Sequence, residues 1–108
     1  MTLPTYADVV EAAERIARYI HRTPVFSSRQ IDDRAAGEVF AKAENLQRVG
    51  AFKARGALNA VLSLGDDAKR RGVATHSSGN HGQALAYAAA VTGITATVVM
   101  PDHAPQVK

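Results

Sequence analysis

Ser77-Ser78-Gly79-Asn80-His81-Gly82-Gln83 is the stretch on which the reading of this chain turns. Ahead of it, Gly72-Val73-Ala74-Thr75-His76 is short and β-branched and predicts a buried strand. Behind it, Ala84-Leu85-Ala86-Tyr87-Ala88-Ala89-Ala90-Val91 is a strong helix former closed by Gly93. Ile94-Thr95-Ala96-Thr97-Val98-Val99-Met100 then predicts a second strand, stopped by Pro101. Strand, polar glycine turn, helix and strand make a βαβ unit with a parallel pair, so the fold class is α/β. The turn after the first strand of such a unit lies at the carboxyl edge of the sheet, where ligands bind. The helix start there offers unpaired N–H groups and partial positive charge, which suit an anion.

Upstream, Thr5 to Ile20 predicts a helix, capped by Thr5 with Asp8 three residues on. Val9, Ala13, Ile16 and Ile20 share one face of it. His21-Arg22-Thr23-Pro24 ends the helix, because the residue before proline avoids the helical region. Ser28 is placed to cap a short helix through Arg34, closed by Gly37. Glu38 to Glu44 reads as a strand and Gly50 as a turn. Phe52 to Leu64 predicts a helix with Ala54, Ala57, Leu58, Val61 and Leu62 inward, stopped by Gly65.

Composition narrows the function. The 108 residues suffice for a modest core, and 46% hydrophobic content rules out a disordered tail. The formal charge of +3 is interspersed rather than clustered, which gives no footprint for nucleic acid. Lys69-Arg70-Arg71 after Asp66-Asp67 reads as charge placed at the two ends of a helical turn. Cysteine is absent, no apolar run is long enough for a membrane, and no signal-peptide pattern is visible, so a cytoplasmic setting is expected. The four histidines show no metal-ligand spacing, so no metal is expected on these residues. Gly79-x-x-Gly82 is not the dinucleotide fingerprint, and there is no P-loop.

A second stretch carries chemistry: Gly50-Ala51-Phe52-Lys53-Ala54-Arg55-Gly56-Ala57. A lysine acts as a nucleophile or base only as the free amine, which burial, a nearby cation or a helix N-terminus favours. Lys53 stands at a helix start among small residues, where a planar ring could approach the backbone. Taken with Glu44-Asn45-Leu46-Gln47 and the Ser77–Gln83 turn, this stretch resembles the serine/threonine dehydratase and serine racemase family of fold-type II pyridoxal-phosphate enzymes. The likeness runs along essentially the whole chain. Two motifs in this order and separation are far more specific than either alone.

The resemblance implies the N-terminal part of a tryptophan synthase β-like fold. Residues 1–71 would belong to the large cofactor-binding domain and 72–108 would begin a smaller βαβ domain. It implies that Lys53 holds pyridoxal 5'-phosphate as a Schiff base and then removes the substrate's Cα proton. Phe52 and Asn80 would contact the cofactor, with the Asn80 amide on the ring oxygen. Ser77, Ser78, Asn80 and His81 would hold the substrate carboxylate. Ser78 would also be the acid/base on the opposite face in a racemase. The implied reaction is β-elimination from L-serine or L-threonine, giving a 2-oxo acid and ammonia. Racemisation of serine, dehydration of hydroxyaspartate and a non-catalytic structural fragment are the alternatives. Cysteine and threonine synthases of the same fold tend to carry an acidic residue after the lysine and threonine after the asparagine; Ala54 and His81 stand there. Ala51 stands where many relatives have serine, a mild departure.

Relatives in that family are several-fold longer than this chain. The cofactor's phosphate-binding glycine loop, the group facing the pyridine nitrogen and any divalent-cation ligands are therefore expected outside these residues. Little or no turnover by the chain alone is expected, with a homo-oligomer of the intact enzyme or a complementary C-terminal segment as partner. A fragment, a split chain and a domain with a partner are all compatible with this reading.

Overall fold

The computed structural model describes residues 3–107. Helix α1 spans Tyr6–Ile16 and runs into a 3-10 turn, Ala17–Tyr19. Strand β1 (Val25–Phe26) pairs antiparallel with β2 (Ala41–Lys42), and α2 (Arg29–Ala35) connects them. Two 3-10 turns, Glu44–Leu46 and Arg48–Gly50, lead to α3 (Lys53–Leu62). Then follow α4 (Asp66–Arg71), β3 (Val73–His76), α5 (Asn80–Thr92) and β4 (Ala96–Val99).

The expected βαβ unit is present. β3 and β4 pair in parallel, in register from Val73 opposite Ala96 to His76 opposite Val99. Gly72 enters β3 with φ of +81, and a Cβ there would lie 2.7 Å from the Thr95 carbonyl oxygen, so only glycine fits without strain. The strands are not fully buried as expected. Each alternates half-buried and exposed residues, because α5 packs on one face of a sheet that has two strands among the described residues.

One core joins the two halves of the chain. Ile16 of α1, Ala57, Leu58 and Val61 of α3, and Ala84, Leu85 and Ala88 of α5 form it. The alanines let the α3 and α5 backbones approach closely, while Leu58 and Val61 fill the space between. Arg15 Nη1 donates to Asn59 Oδ1 at 2.5 Å, joining α1 to α3, and the Tyr87 hydroxyl donates to the Tyr19 carbonyl at 2.5 Å, joining α5 to the turn after α1.

Local expectations fare unevenly. Thr5 and Asp8 form the full capping box. In α4 the acidic residues lie in the first turn and the basic ones in the last, with an Arg70–Asp67 ion pair. Of the face expected on α1, Ile16 is buried, but Val9 and Ala13 are exposed, since only the C-terminal end of α1 meets α3 and α5. Helix α2 is closed by Ala36 in the left-handed conformation, φ 52, one residue before the glycine expected to do so. Ser28 is the N-cap position, but its side chain accepts no capping hydrogen bond. The expected strand Glu38 to Glu44 shrinks to Ala41–Lys42, because its partner β1 is only two residues long.

Candidate active site

Lys53 is the first residue of α3, and Phe52 is its N-cap without a side-chain capping bond. The ammonium of Lys53 lies 5.1 Å from the centre of the Phe52 ring, within cation–π range. Both side chains are exposed and line a cavity of about 380 Å³ with Gly56, Ala57, His81 and Leu85. That volume falls in the range of small-molecule sites.

His81 reaches this cavity from α5, where Asn80 and His81 occupy the first helical turn rather than a preceding loop. The packing of α5 on α3 therefore brings the second motif against the first. Ser77 and Ser78 lie elsewhere. They line a smaller hollow of about 80 Å³ with Gly79, Gly82, Gln83 and Val98. The Ser77 hydroxyl oxygen accepts the Gly79 amide at 3.2 Å and the Gly82 amide at 3.1 Å, so it holds the turn's own backbone. Helix α5 has Gly79 as its N-cap position, with no side-chain cap there. Asn80 is exposed and engaged in an interaction of its own. Among the described residues no three His, Asp or Glu side chains converge as a metal site.

Behind Lys53 lies a polar network that sequence reasoning left unassigned. Glu44 is a half-buried acid held in an ion pair. Arg55 grips it with two prongs, Nε to Oε2 and Nη2 to Oε1, each 2.8 Å. The Thr23 hydroxyl donates to the same carboxylate at 2.6 Å. The Arg55 guanidinium is the main cause that draws the Glu44 pKa down to about 2, with burial opposing and Thr23 and Gln47 assisting. The sequence offered a weak signal in its acid and arginine 11 residues apart, but no way to pair them.

This network has a signed pH consequence. The folded pKa of Glu44 is depressed, so its contribution is complete above the unfolded value of 4.5 and is lost as pH falls toward about 2. Arg55 is partly solvent-exposed, which limits the contribution to about 1–2 kcal/mol. Thermal unfolding measured from pH 6 down to pH 2 is expected to lose stability more steeply in the unsubstituted chain than in Glu44→Gln. Parallel curves would contradict the pairing.

The residues fit a flat, aldehyde-bearing cofactor on the side they present. Lys53 supplies a primary amine, and Phe52, Ala57 and Leu85 supply an apolar wall. Gly56 stands inside α3, where alanine would be favoured by about 1 kcal/mol. Nothing lies within 4 Å of where its Cβ would be, so packing within the chain does not demand glycine there. It leaves the cavity wall open to a ligand.

An α/β unit in which a lysine-headed helix meets, at one cavity, the His81 of the helix that follows a serine–glycine–asparagine turn defines the N-terminal part of a fold-type II pyridoxal-phosphate enzyme. The family pattern described as pyridoxal-phosphate dependent enzyme matches residues 16–108, and the chain belongs to that family. It is 50% identical over its whole length to an L-threo-3-hydroxyaspartate ammonia-lyase of Saccharomyces cerevisiae, of which it covers 33%. It is 51% identical over its whole length to a beta-hydroxyaspartate dehydratase of Paracoccus denitrificans, covering 34%. The crystal structure of serine racemase from Dictyostelium discoideum superposes with a TM-score of 0.90 at 50% identity, over 95% of this chain and 34% of that one. The chain thus spans about a third of the length of the curated relatives it matches.

Proposed function

We propose that this chain is the N-terminal part of a pyridoxal-phosphate-dependent ammonia-lyase acting on a β-hydroxy amino acid, L-serine or L-threonine, to give a 2-oxo acid and ammonia. The observation that carries the reading is the cavity shared by Lys53 from α3 and His81 from α5. When bound, pyridoxal phosphate supplies an electron sink for the charge left at Cα. Lys53 Nζ would hold the cofactor and would take up the Cα proton. Phe52 would border the cofactor's ring, and the Asn80 amide would bond the ring oxygen. His81, in the cavity of Lys53, and Asn80, Ser77 and Ser78, in the turn beside it, would bind and orient the substrate carboxylate, with the Ser77 hydroxyl also holding that turn. In this reading Ser78, which lines the neighbouring hollow, would hold a proton on the face of the substrate opposite Lys53.

The names of the relatives favour a second reading at the same site, dehydration of a hydroxyaspartate or racemisation of serine. The division into a large-domain part, 1–71, and the start of a small domain, 72–108, belongs to this proposal. So do the cytoplasmic setting, the homo-oligomeric assembly of the intact enzyme and the pairing with a complementary C-terminal segment.

The test is to combine the chain with the C-terminal two-thirds of a relative and offer L-threonine, L-serine and L-threo-3-hydroxyaspartate in turn. A 2-oxo acid and ammonia from threonine or serine is the expected result. Ammonia from hydroxyaspartate alone, or D-serine without ammonia, would replace it with the second reading. No product from any of them, with assembly intact, would leave a structural fragment.

A further inference from the structure

We propose that Glu44, Arg55 and Thr23 form a clamp that positions Lys53 toward its cavity, an inference that rests on the role given to Lys53 above. Helix α3 opens without a side-chain cap. Within the chain's backbone its first turn is held by Ala54 N to the Ala51 carbonyl at 3.3 Å and Arg55 N to the Phe52 carbonyl at 3.1 Å. Those bonds fix the pitch of the turn but not its direction relative to the rest of the fold. The two-pronged Arg55–Glu44 contact does fix it, because a planar guanidinium on a planar carboxylate tolerates little rotation.

Glu44 is itself anchored. Its Oε1 accepts the Thr23 hydroxyl, and the Thr23 carbonyl accepts Lys42 Nζ at 2.7 Å. Gln47, in the same segment, accepts the His21 amide and donates to the His21 carbonyl, both at 2.8 Å, and also accepts the Arg48 amide at 3.0 Å. Thr23 and Gln47, each 4% exposed, are the buried polar residues among those described. Both serve this one network, in a chain with a small core, so burial of polar groups is concentrated immediately behind the lysine. Between Gln47 and Lys53 the backbone passes through Val49 at φ 57 and Gly50 at φ 65. A β-branched residue in the left-handed region is costly, and it persists where surrounding contacts over-determine the turn. Arg55 also lines the cavity of Lys53 while reaching a second hollow beside His21 and Lys42. The clamp therefore sets a wall of the cavity as well as the direction of the helix that carries the amine.

A misplacement of about 1 Å at a reacting group can cost on the order of a hundredfold in rate. The test reads placement without needing turnover. The full chain is treated with pyridoxal phosphate and borohydride, and the adduct is mapped across its four lysines by peptide mass. Glu44→Gln keeps the size and loses the charge; Arg55→Gln loses the fork without adding a lysine to the cavity of Lys53. In both variants the share of adduct on Lys53 relative to Lys69 is expected to fall about tenfold. The comparison is made at a temperature where circular dichroism shows each variant fully folded. A role in stability alone would lower the unfolding midpoint and leave that share unchanged. Unchanged shares in two folded variants overturn the clamp while leaving the lysine assignment standing. No preference for Lys53 in the unsubstituted chain overturns the lysine assignment and the clamp with it.

Discussion

Gly82→Ala is expected to destabilise the chain by about 2–3 kcal/mol, against the trend for its position. Inside an ordinary helix the same change stabilises by up to about 1 kcal/mol, because alanine loses less conformational freedom on folding. Gly82 lies in the first turn of α5, where an added Cβ would meet the Ser77 carbonyl oxygen at 2.9 Å and Val98 Cγ1 at 3.1 Å. The first is backbone just past β3 and cannot give way, and the second is a methyl of the β-branched Val98 side chain in β4, which is stiff about χ1. Helix α5 would have to lift off the sheet and lose the bond from the Gly82 amide to the Ser77 hydroxyl. His81 would move with it, out of the cavity of Lys53. Gly56→Ala is the matched control: with nothing within 4 Å of its Cβ, it is expected to stabilise the chain. Urea unfolding of both variants checks the opposite signs. A Gly82→Ala chain as stable as the original would mean that α5 does not sit as closely on β3 and β4 as described.

Leu58→Ala is expected to cost about 3 kcal/mol. Leu58 is fully buried where α1, α3 and α5 meet, and among the described residues only Val61 shares with it the place of largest fully buried side chain. The rest of the core is rich in alanine, which cannot rearrange to fill the space. A domain of this size is held by roughly 5–15 kcal/mol in all, so the loss removes a large part of its stability. Denaturant midpoints measure it directly; a change under about 1 kcal/mol would show a core that collapses around the cavity.

The fold was most legible where the sequence spoke locally. β3, α5 and β4 could be read because β-branched runs, an alanine-rich run, Gly93 and Pro101 each carry their own signal. Glu38 to Glu44 misled because Val39 and Phe40 are strand formers, yet pairing depends on β1, whose length no local pattern reveals. At the site, Lys53 was legible from its motif and its place at a helix start. Its company was not. Asn80 begins α5, so His81 is carried on the helix that packs against α3 and faces Lys53, while Ser78 lies in the bend before the helix and opens on another hollow. The Glu44–Arg55–Thr23 contacts join residues 11 and 21 positions apart, and opposite charges at such separations announce no pairing in a sequence.

The central claim is that Lys53 is the amine to which the cofactor attaches. The most direct measurement is the site of the borohydride-fixed pyridoxal-phosphate adduct, by peptide mass, on the chain as purified and on Lys53→Arg. The account predicts a visible absorbance band, an adduct concentrated on Lys53, and loss of both in the variant. Adduct spread evenly over Lys42, Lys53 and Lys69, or a band that survives Lys53→Arg, would contradict it.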